Sequence, residues 1–425
     1  GWPSMAHEIV SRATGVMHSD PMGPVYLTLP REILAAPVDE ASLGVYGRPS
    51  HSPVKALGAD PEQIEHIADR LLESEYPMMV TAYAGRNHAA VSVIEALAEF
   101  GGIRVCEFNT VDLNIRRDSP FFAGYNPGVH TEQADFGLMV DVDVPWIPKT
   151  TRVHPQAYWA QFDVDAIKRH IPIWGFPLQD RIEGNSARLL TQLLSALKAK
   201  ATPAFKDKVA RRSAVIRAEH AQNQRRSAQM ASSPGSLDAI NPHFLFALLG
   251  QAIRGDDVVL NEAIRNTMAV FEQIPRHIPG TLIGLPGGGL GFSGGTALGI
   301  KLAHPERRVI HVVGDGSFYF SNPSAMYAVS RQQNLPILTV LLDNGGWSAV
   351  KESTLRMYPQ GLAKSHQRFE SELGFGTDFA AIAEAAGGHA ERLRDPAQAQ
   401  TAIDRCLRAL DAGQSALLHV RIPPL

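Results

Sequence analysis

At 425 residues, 44% hydrophobic and 20% charged, the chain is long enough for two or three globular domains, each with its own core. A formal net charge of −3 gives no electrostatic footprint for nucleic acid or an anionic membrane surface, and neither is expected as a partner. Cys106 and Cys406 have no CxxC or metal-ligand spacing and no apolar run is long enough to span a bilayer, so the expectation is a cytoplasmic protein with buried, reduced thiols.

Residues 1–45 read as a helix (Ser4 to Met17), a loop and the strand "GPVYLTLP" (Gly23 to Pro30). One helix and one strand cannot bury a core, so this is expected to be the tail of a domain whose body lies elsewhere. The stretch "VYGRPSHSPVKALGADP" follows as a linker. From 55 to 200, helices near 62–74, 88–100 and 186–198 alternate with the strands "PMMVTAY", "IRVCEF", "FGLMVDVDV" and "YWAQFDVD". That alternation predicts a parallel sheet covered on both faces.

Residues 201–236 are basic and polar and read as a solvated helix linking domains. From 237 to 425 the alternation resumes with a helix (Pro242 to Arg254), the strand "DDVVLNE", a glycine-dense segment (Gly284 to Gly299) and the strand "RRVIHVVGDG". A helix (Pro323 to Gln333), the strand "PILTVLLDN", two helices near 378–386 and 396–411, and the strand "SALLHVRI" complete it. The predicted fold class is α/β: two doubly wound parallel-sheet domains and the tail of a third.

Two apolar strands end in "GDG" (Gly314-Asp315-Gly316) and "DNGG" (Asp343 to Gly346). Ligands of open parallel sheets sit beyond the carboxyl ends of the strands, so Asp315 and Asn344 are predicted to face one crevice. A carboxylate, an amide oxygen and a main-chain carbonyl make a partial shell for a hard cation such as Mg²⁺. The glycines permit the close approach that a diphosphate needs, and Pro323 would open a helix with free amides facing the anion. Each half of this pattern is also an ordinary turn sequence; the pairing of the two gives it weight.

The spacing of "GDGS" and "LLDNGGW" resembles the thiamine-diphosphate (ThDP) enzymes of the acetolactate synthase, pyruvate decarboxylase and benzoylformate decarboxylase group. So does the preceding run "GGGLGFSGGTALGIKLAHPERRVIHVVGDGS". The resemblance implies Asp315, Asn344 and the carbonyl of Gly346 as Mg²⁺ ligands. Asp343 stands where the family has a first asparagine that is not a ligand. Leu290 corresponds to the apolar wedge that bends the cofactor, with Gly288 and the Leu290 amide serving its pyrimidine; the alternative is an ordinary core leucine. Gly314, Gly316 and Ser317 would line the diphosphate. Arg265, in "LNEAIRNT", matches a stretch bordering the site and could contact a phosphate or a substrate carboxylate, or be a surface arginine.

The resemblance also places residues 1–45 at the end of a pyrimidine-binding domain, 55–200 in a central domain, 201–236 in a linker and 237–425 in the diphosphate-binding domain. The glutamate that activates the cofactor in the family has no counterpart here. The chain is therefore expected to be the C-terminal fragment of a nicked or split enzyme, partnered by an N-terminal pyrimidine-domain fragment in a homo- or hetero-oligomer (dimer or tetramer). The expected activity is decarboxylation or carboligation of a 2-oxo acid, with ThDP and Mg²⁺. "GGLGF" leans towards benzoylformate decarboxylase, and the loop after Asn344 lacks the "EEQGM"-like run of true acetolactate synthases. The alternative is a non-catalytic subunit that regulates or scaffolds a partner.

Among the remaining residues, His311 reads as a satisfied core histidine and Trp347 as packing, while His130, His154 and His277 are weaker candidates for the substrate end. "AYAGRNHAA" reads as a plain strand-to-helix turn, although FAD or ADP lies near the matching turn in some relatives.

Overall fold

The computed structural model describes residues 5–39, 52–54, 57–285 and 287–424. The linker read ahead of residue 62 falls largely on 40–51, 55 and 56, outside the described residues.

The first alternating region forms a six-stranded sheet from β1 (Pro77–Thr81), β2 (Arg104–Glu107), β3 (Phe122–Gly124), β4 (Phe136–Val140), β5 (Tyr158–Asp163) and β6 (Asp180–Glu183). Its order is β3-β2-β1-β4-β5-β6 and every pairing is parallel. β1 and β4, at its centre, are buried at every position, which is why their sequences are apolar without alternation. The edge strands β3 and β6 are additions to the sequence reading, because strands of three and four residues are too short to give a periodic signal. β4 stops at Val140, short of the predicted run to Val144, because Asp141 takes φ of 42° and breaks the extended backbone.

The two faces of this sheet are covered differently. On one, Ile67, Leu71, Ile94, Leu97, Leu190 and Leu193 bring the helices Pro61–Glu73, His88–Gly101 and Ser186–Lys200 onto the strands. On the other, Met78, Val80, Met139 and Trp159 pack against loop-borne Trp146, Trp174 and Phe176. Both faces are covered as expected, although on this second one the β4–β5 and β5–β6 connections are loops whose aromatic side chains do the covering.

The basic stretch read as a linking helix forms the helix Pro203–Ala231, most of it exposed. Thr202 caps it by accepting from the Phe205 amide, and Pro203 occupies the first turn, where its missing N–H costs nothing. Its basic residues are partly internal. Arg212 donates to the carbonyls of Ser74 (2.9 Å) and Gly101, and burial pulls its pKa down to about 10. Arg104 forks onto Glu219 at 2.8 and 3.0 Å. Near the other end, the Gln273 and Asn241 side-chain amides donate to the carbonyls of Ser227 (2.9 Å) and Met230 (2.8 Å). The helix thus touches both halves of the molecule.

After the small hairpin β7 (Gly235–Ser236) and β8 (Ala239–Ile240), a second sheet is built from β9 (Val258–Glu262), β10 (Leu282–Ile283), β11 (Val309–Gly314), β12 (Leu338–Asp343), β13 (His389–Leu393) and β14 (Ala416–Arg421). The order is β10-β9-β11-β12-β14-β13, again parallel throughout. Helices cover both faces: Leu245, Phe246, Phe271, Ile403 and Leu407 on one, Ala297, Leu298, Met326, Tyr327 and Phe379 on the other. The glycine-dense segment, unassigned by periodicity, forms the helix Phe292–Ala303. A Cβ on Gly294 would stand 2.8 Å from Met326 Sδ, so glycine there permits a close helix crossing.

Direct contacts also join the sheets. The Gly284 amide donates to the Val111 carbonyl (2.7 Å), the Arg117 amide to the Arg276 carbonyl (3.1 Å), and Tyr125 packs on Phe271 with ring centroids 5.3 Å apart.

At the amino end, Ala6–Met17 and Arg31–Leu34 are helical, but the expected strand Gly23 to Pro30 joins no sheet among the described residues. Extended backbone becomes a strand only beside a partner that takes up its hydrogen bonds. Val10, Val16, Tyr26, Leu29 and Leu34 are exposed on this segment. No helix among the described residues is long and apolar enough to cross a membrane.

Candidate cofactor and metal site

β11 and β12 are parallel neighbours in register, with Gly314 opposite Leu342, so their carboxyl ends emerge side by side. Asp315 opens the helix Asp315–Phe320 directly after β11; the anion-facing helix end expected at Pro323 begins a second helix, Pro323–Gln332. The first free amides after β11 are therefore those following Asp315. The Asp315 side chain is 2% exposed. Burial pushes its pKa up to about 7, and the adjacent Asp343 carboxyl adds to the rise, while amides of Gly316 and Gly346 act the other way. Asn344 is half-buried and accepts from the Gly346 amide at 3.2 Å, closing a tight turn.

Glycine at 346 is required: φ is 155°, and a Cβ would meet the Ser371 carbonyl at 2.2 Å. The Trp347 amide donates to that same carbonyl (2.7 Å), and the Leu373 amide donates to the Gly345 carbonyl (2.7 Å). The loop after β12 is thus stitched to residues 371–373. The Gly346 carbonyl accepts from the Ser348 amide at 3.0 Å and keeps a second lone pair.

Gly316 lies under Trp347, whose ring atoms would be 2.4 Å from a Cβ at that position, and Trp347 packs on Phe320 with centroids 5.7 Å apart. Phe320 in turn abuts Gly291, which takes φ of 90°. The loop bearing Gly288 and Leu290 therefore borders the same region as the two strand tips. Leu290 is 36% exposed, not an ordinary core leucine. Gly288 is exposed, and a Cβ there would have nothing within 4 Å. Ser317 is buried behind Gly316.

Arg265 lies on the turn after β9 and pairs with Glu352 at 3.6 Å, on the helix Ser348–Met357 that follows the β12 loop. It is neither a plain surface arginine nor placed among the strand-tip glycines. The three weaker histidine candidates are engaged elsewhere: His130 with the Tyr76 hydroxyl (2.9 Å), His154 with the Gln156 amide (3.2 Å) and His277 with Asp118 (3.4 Å). In the first sheet, the Gly85 amide donates to Asn114 Oδ1 (2.9 Å) and the Leu113 carbonyl would be 2.0 Å from a Cβ on Gly85. The strand-to-helix turn at Gly85 is thus packed closely against residues 113–114.

Known proteins resemble this chain in sequence and in fold. Residues 266–420 match the family described as thiamine pyrophosphate enzyme, C-terminal TPP binding domain. Residues 266–420 thus resemble the cofactor-binding domain of thiamine-diphosphate-dependent enzymes. It is 25% identical over 433 residues to the acetolactate synthase isozyme 2 large subunit of Escherichia coli, covering 98% of this chain and 71% of that one. A probable acetolactate synthase of Mycobacterium bovis is 29% identical over 186 residues, which is 44% of this chain and only 32% of that protein's length. In fold, the chain is similar over 100% of its length, and 75% of the other's, to a Rhodococcus jostii 4-hydroxybenzoylformate decarboxylase structure (TM-score 0.78, 20% identity).

The residues at the strand tips fit the group that the matched domain family binds. The buried Asp315 carboxyl, the Asn344 amide oxygen and the Gly346 carbonyl make a donor set of oxygens suited to a divalent cation, with Asp343 buried behind them and held by His419. Trp347 Nε1 is buried without an acceptor, and no Cβ at Gly287, Gly288, Gly289 or Gly314 would touch anything. No group of three or more His, Cys, Asp or Glu side chains placed to hold a metal ion occurs among the described residues, and a shell completed by an amide and a carbonyl needs none.

Sequence reasoning missed two supporting networks. Glu262, at the tip of β9, accepts from the amides of Gly291 (2.5 Å) and Ser293 (3.1 Å) and from the Ser293 hydroxyl, capping the helix Phe292–Ala303. His311 continues it, with Nε2 2.7 Å from Ser293 Oγ and Nδ1 3.2 Å from Thr339 Oγ1; burial drives its pKa down to about 3, so the ring is neutral. The second network joins Asp343 to His419 (2.8 Å) and Arg421 (3.6 Å) on β14. The available signal was an acid closing each apolar run, "VVLNE" and "LTVLLD", the pattern that drew attention to Asp315.

Proposed function

We propose that this chain is the cofactor-holding part of a ThDP- and Mg²⁺-dependent enzyme that decarboxylates a 2-oxo acid or joins it to a second carbonyl compound. The observation that carries this reading is the convergence of the β11 and β12 tips, with buried Asp315 facing a loop that only glycine can build. In this reading Asp315, Asn344 and the Gly346 carbonyl hold the cation. Amides at Gly316 and Ser317 receive the diphosphate, and Leu290 with the Gly288 backbone supports the pyrimidine. The cofactor, when bound, supplies an electron sink for the carbanion left by CO₂ loss. The protein's share is to orient it, with Trp347 and Phe320 walling the cleft and Glu262 fixing the loop that carries Leu290.

The activating acid and the pyrimidine-binding surface would come from a companion domain, on the same or another chain, within an oligomer. The exposed Val10, Val16, Tyr26, Leu29 and Leu34 support such packing. The alignments to acetolactate synthases support the 2-oxo acid class; decarboxylation and carboligation share these residues.

Calorimetry of ThDP with and without Mg²⁺, on the parent chain and Asp315→Ala, tests the reading. Mg²⁺-dependent binding by the parent, reduced at least about 100-fold in the variant, is expected, since the change removes the shell's principal carboxylate. Equal affinity in both would sink the metal assignment.

A further inference from the structure

A second polar cavity lies at the carboxyl edge of the same sheet, beyond the ends of β13 and β14. Its volume is about 190 Å³, and its lining includes Phe375, Asp378, Arg392, Arg394, His419 and Arg421. His419 and Arg421 also hold Asp343 behind the β12 tip, but none of these residues is assigned to the cation or the cofactor.

The three guanidinium groups differ in how they are held. Arg392 is committed to Asp378 (2.7 and 3.0 Å) and to Glu384 (2.8 and 2.9 Å). Arg394 reaches Asp238 only at 3.5 Å. Arg421 is 6% exposed, yet its contacts are long: the Phe375 carbonyl at 3.5 Å and Asp343 at 3.6 Å. Those distances lie beyond the range of a good hydrogen bond, and a guanidinium carries five donors. Phe375 lies over Arg421 at 3.8 Å, which fixes the plane of the fork and leaves it rigid at low entropic cost. Burying such a cation with only loose partners is unfavourable unless an anion completes it.

We propose that this cavity is a binding site for a small oxyanion, a carboxylate or a phosphate, held by Arg421 and Arg394. The site also connects to the metal loop. Arg421 and His419 both face Asp343, whose Oδ1 accepts from the Gly345 amide at 3.0 Å. An occupant that draws Arg421 away from Asp343 loosens the turn that presents Asn344, so the site is suited to an effector.

The test is calorimetric titration of the full chain with inorganic phosphate and, separately, with acetate, using the parent, Arg394→Gln and Asp315→Ala. Arg394 is on the exposed rim, so its variant is expected to fold, which circular dichroism checks. The expected result is saturable one-to-one binding of at least one oxyanion, weakened at least about fivefold by R394Q and unchanged by D315A. Comparison of the two anions shows whether phosphate or carboxylate is preferred. Absence of saturable binding, or equal affinity in R394Q, overturns the proposal. So does dependence on Asp315 instead of Arg394, which would put the anion at the strand tips. Because ThDP is absent from this experiment, its failure is separate from failure of the cofactor reading.

Discussion

His419 Nε2 stands 2.8 Å from Asp343 Oδ2 inside the β12–β14 layer, so the acid that ends β12 is held by a histidine on the next strand. Both side chains are nearly sealed from water. Removing one partner of such a pair strands the other, whereas replacing both is milder. His419→Leu is therefore expected to lower stability by roughly 3 kcal/mol, and the double variant with Asp343→Asn to recover most of that. Urea denaturation of the four members of the cycle measures it; additive losses would show that the pair does not act as a unit.

The raised pKa of Asp315 has a consequence for the metal-free chain. A carboxyl whose folded pKa lies above its unfolded value adds stability at acid pH and loses that contribution as pH rises. With folded and reference values of about 7 and 3.8, the loss falls between about pH 4 and pH 7. Without divalent cations, thermal midpoints should fall across that window, and Asp315→Asn should flatten the slope. A profile equally steep in the variant would mean that another group titrates there.

His311 acts in the opposite sense. Its folded pKa, near 3, lies below the reference of 6.5, so its contribution is full above about pH 6.5 and decays as pH falls towards 3. Nuclear magnetic resonance of the ring at pH 5 should show a neutral imidazole; a charged ring would contradict its burial between Ser293 and Thr339.

Glu262 holds the loop of Leu290 through the Gly291 and Ser293 amides. Glu262→Gln replaces one acceptor oxygen with a donor facing those N–H groups, which should cost about 1–3 kcal/mol. ThDP affinity should fall about tenfold, with the protein still folded by circular dichroism. Unchanged affinity would show that the cap stabilises the helix without positioning the loop.

Gly316 and Trp347 are in van der Waals contact. Gly316→Ala would drive a methyl into the indole, so Trp347 must move, at a cost of about 1–3 kcal/mol. A shift of tryptophan emission and weakened ThDP binding are expected together; an unaltered spectrum would place the indole elsewhere.

Much of this architecture is written in the chain's periodicity. The apolar runs of β1, β2, β4, β5, β9, β11, β12 and β14 are legible because a parallel strand covered on both faces must be apolar throughout, and the intervening helices because one stripe must be buried. The same runs locate Asp315 and Asn344, since the residue that ends such a strand sits at the crevice. What periodicity does not carry is anything set by neighbours distant in sequence. β3, β6, β10 and β13 exist because an edge was available to pair with, whereas Gly23 to Pro30 joins no sheet among the described residues. The helix Phe292–Ala303 forms despite three glycines because Met326 and Ser321 accept its close approach and Glu262 caps it. Local sequence thus determined which segments could be strands and where their chemistry would emerge. Tertiary packing alone decided that Asp343 meets His419 and Arg421, and that Glu262 reaches Ser293, because those contacts follow from strand order across the sheet and no local rule encodes it.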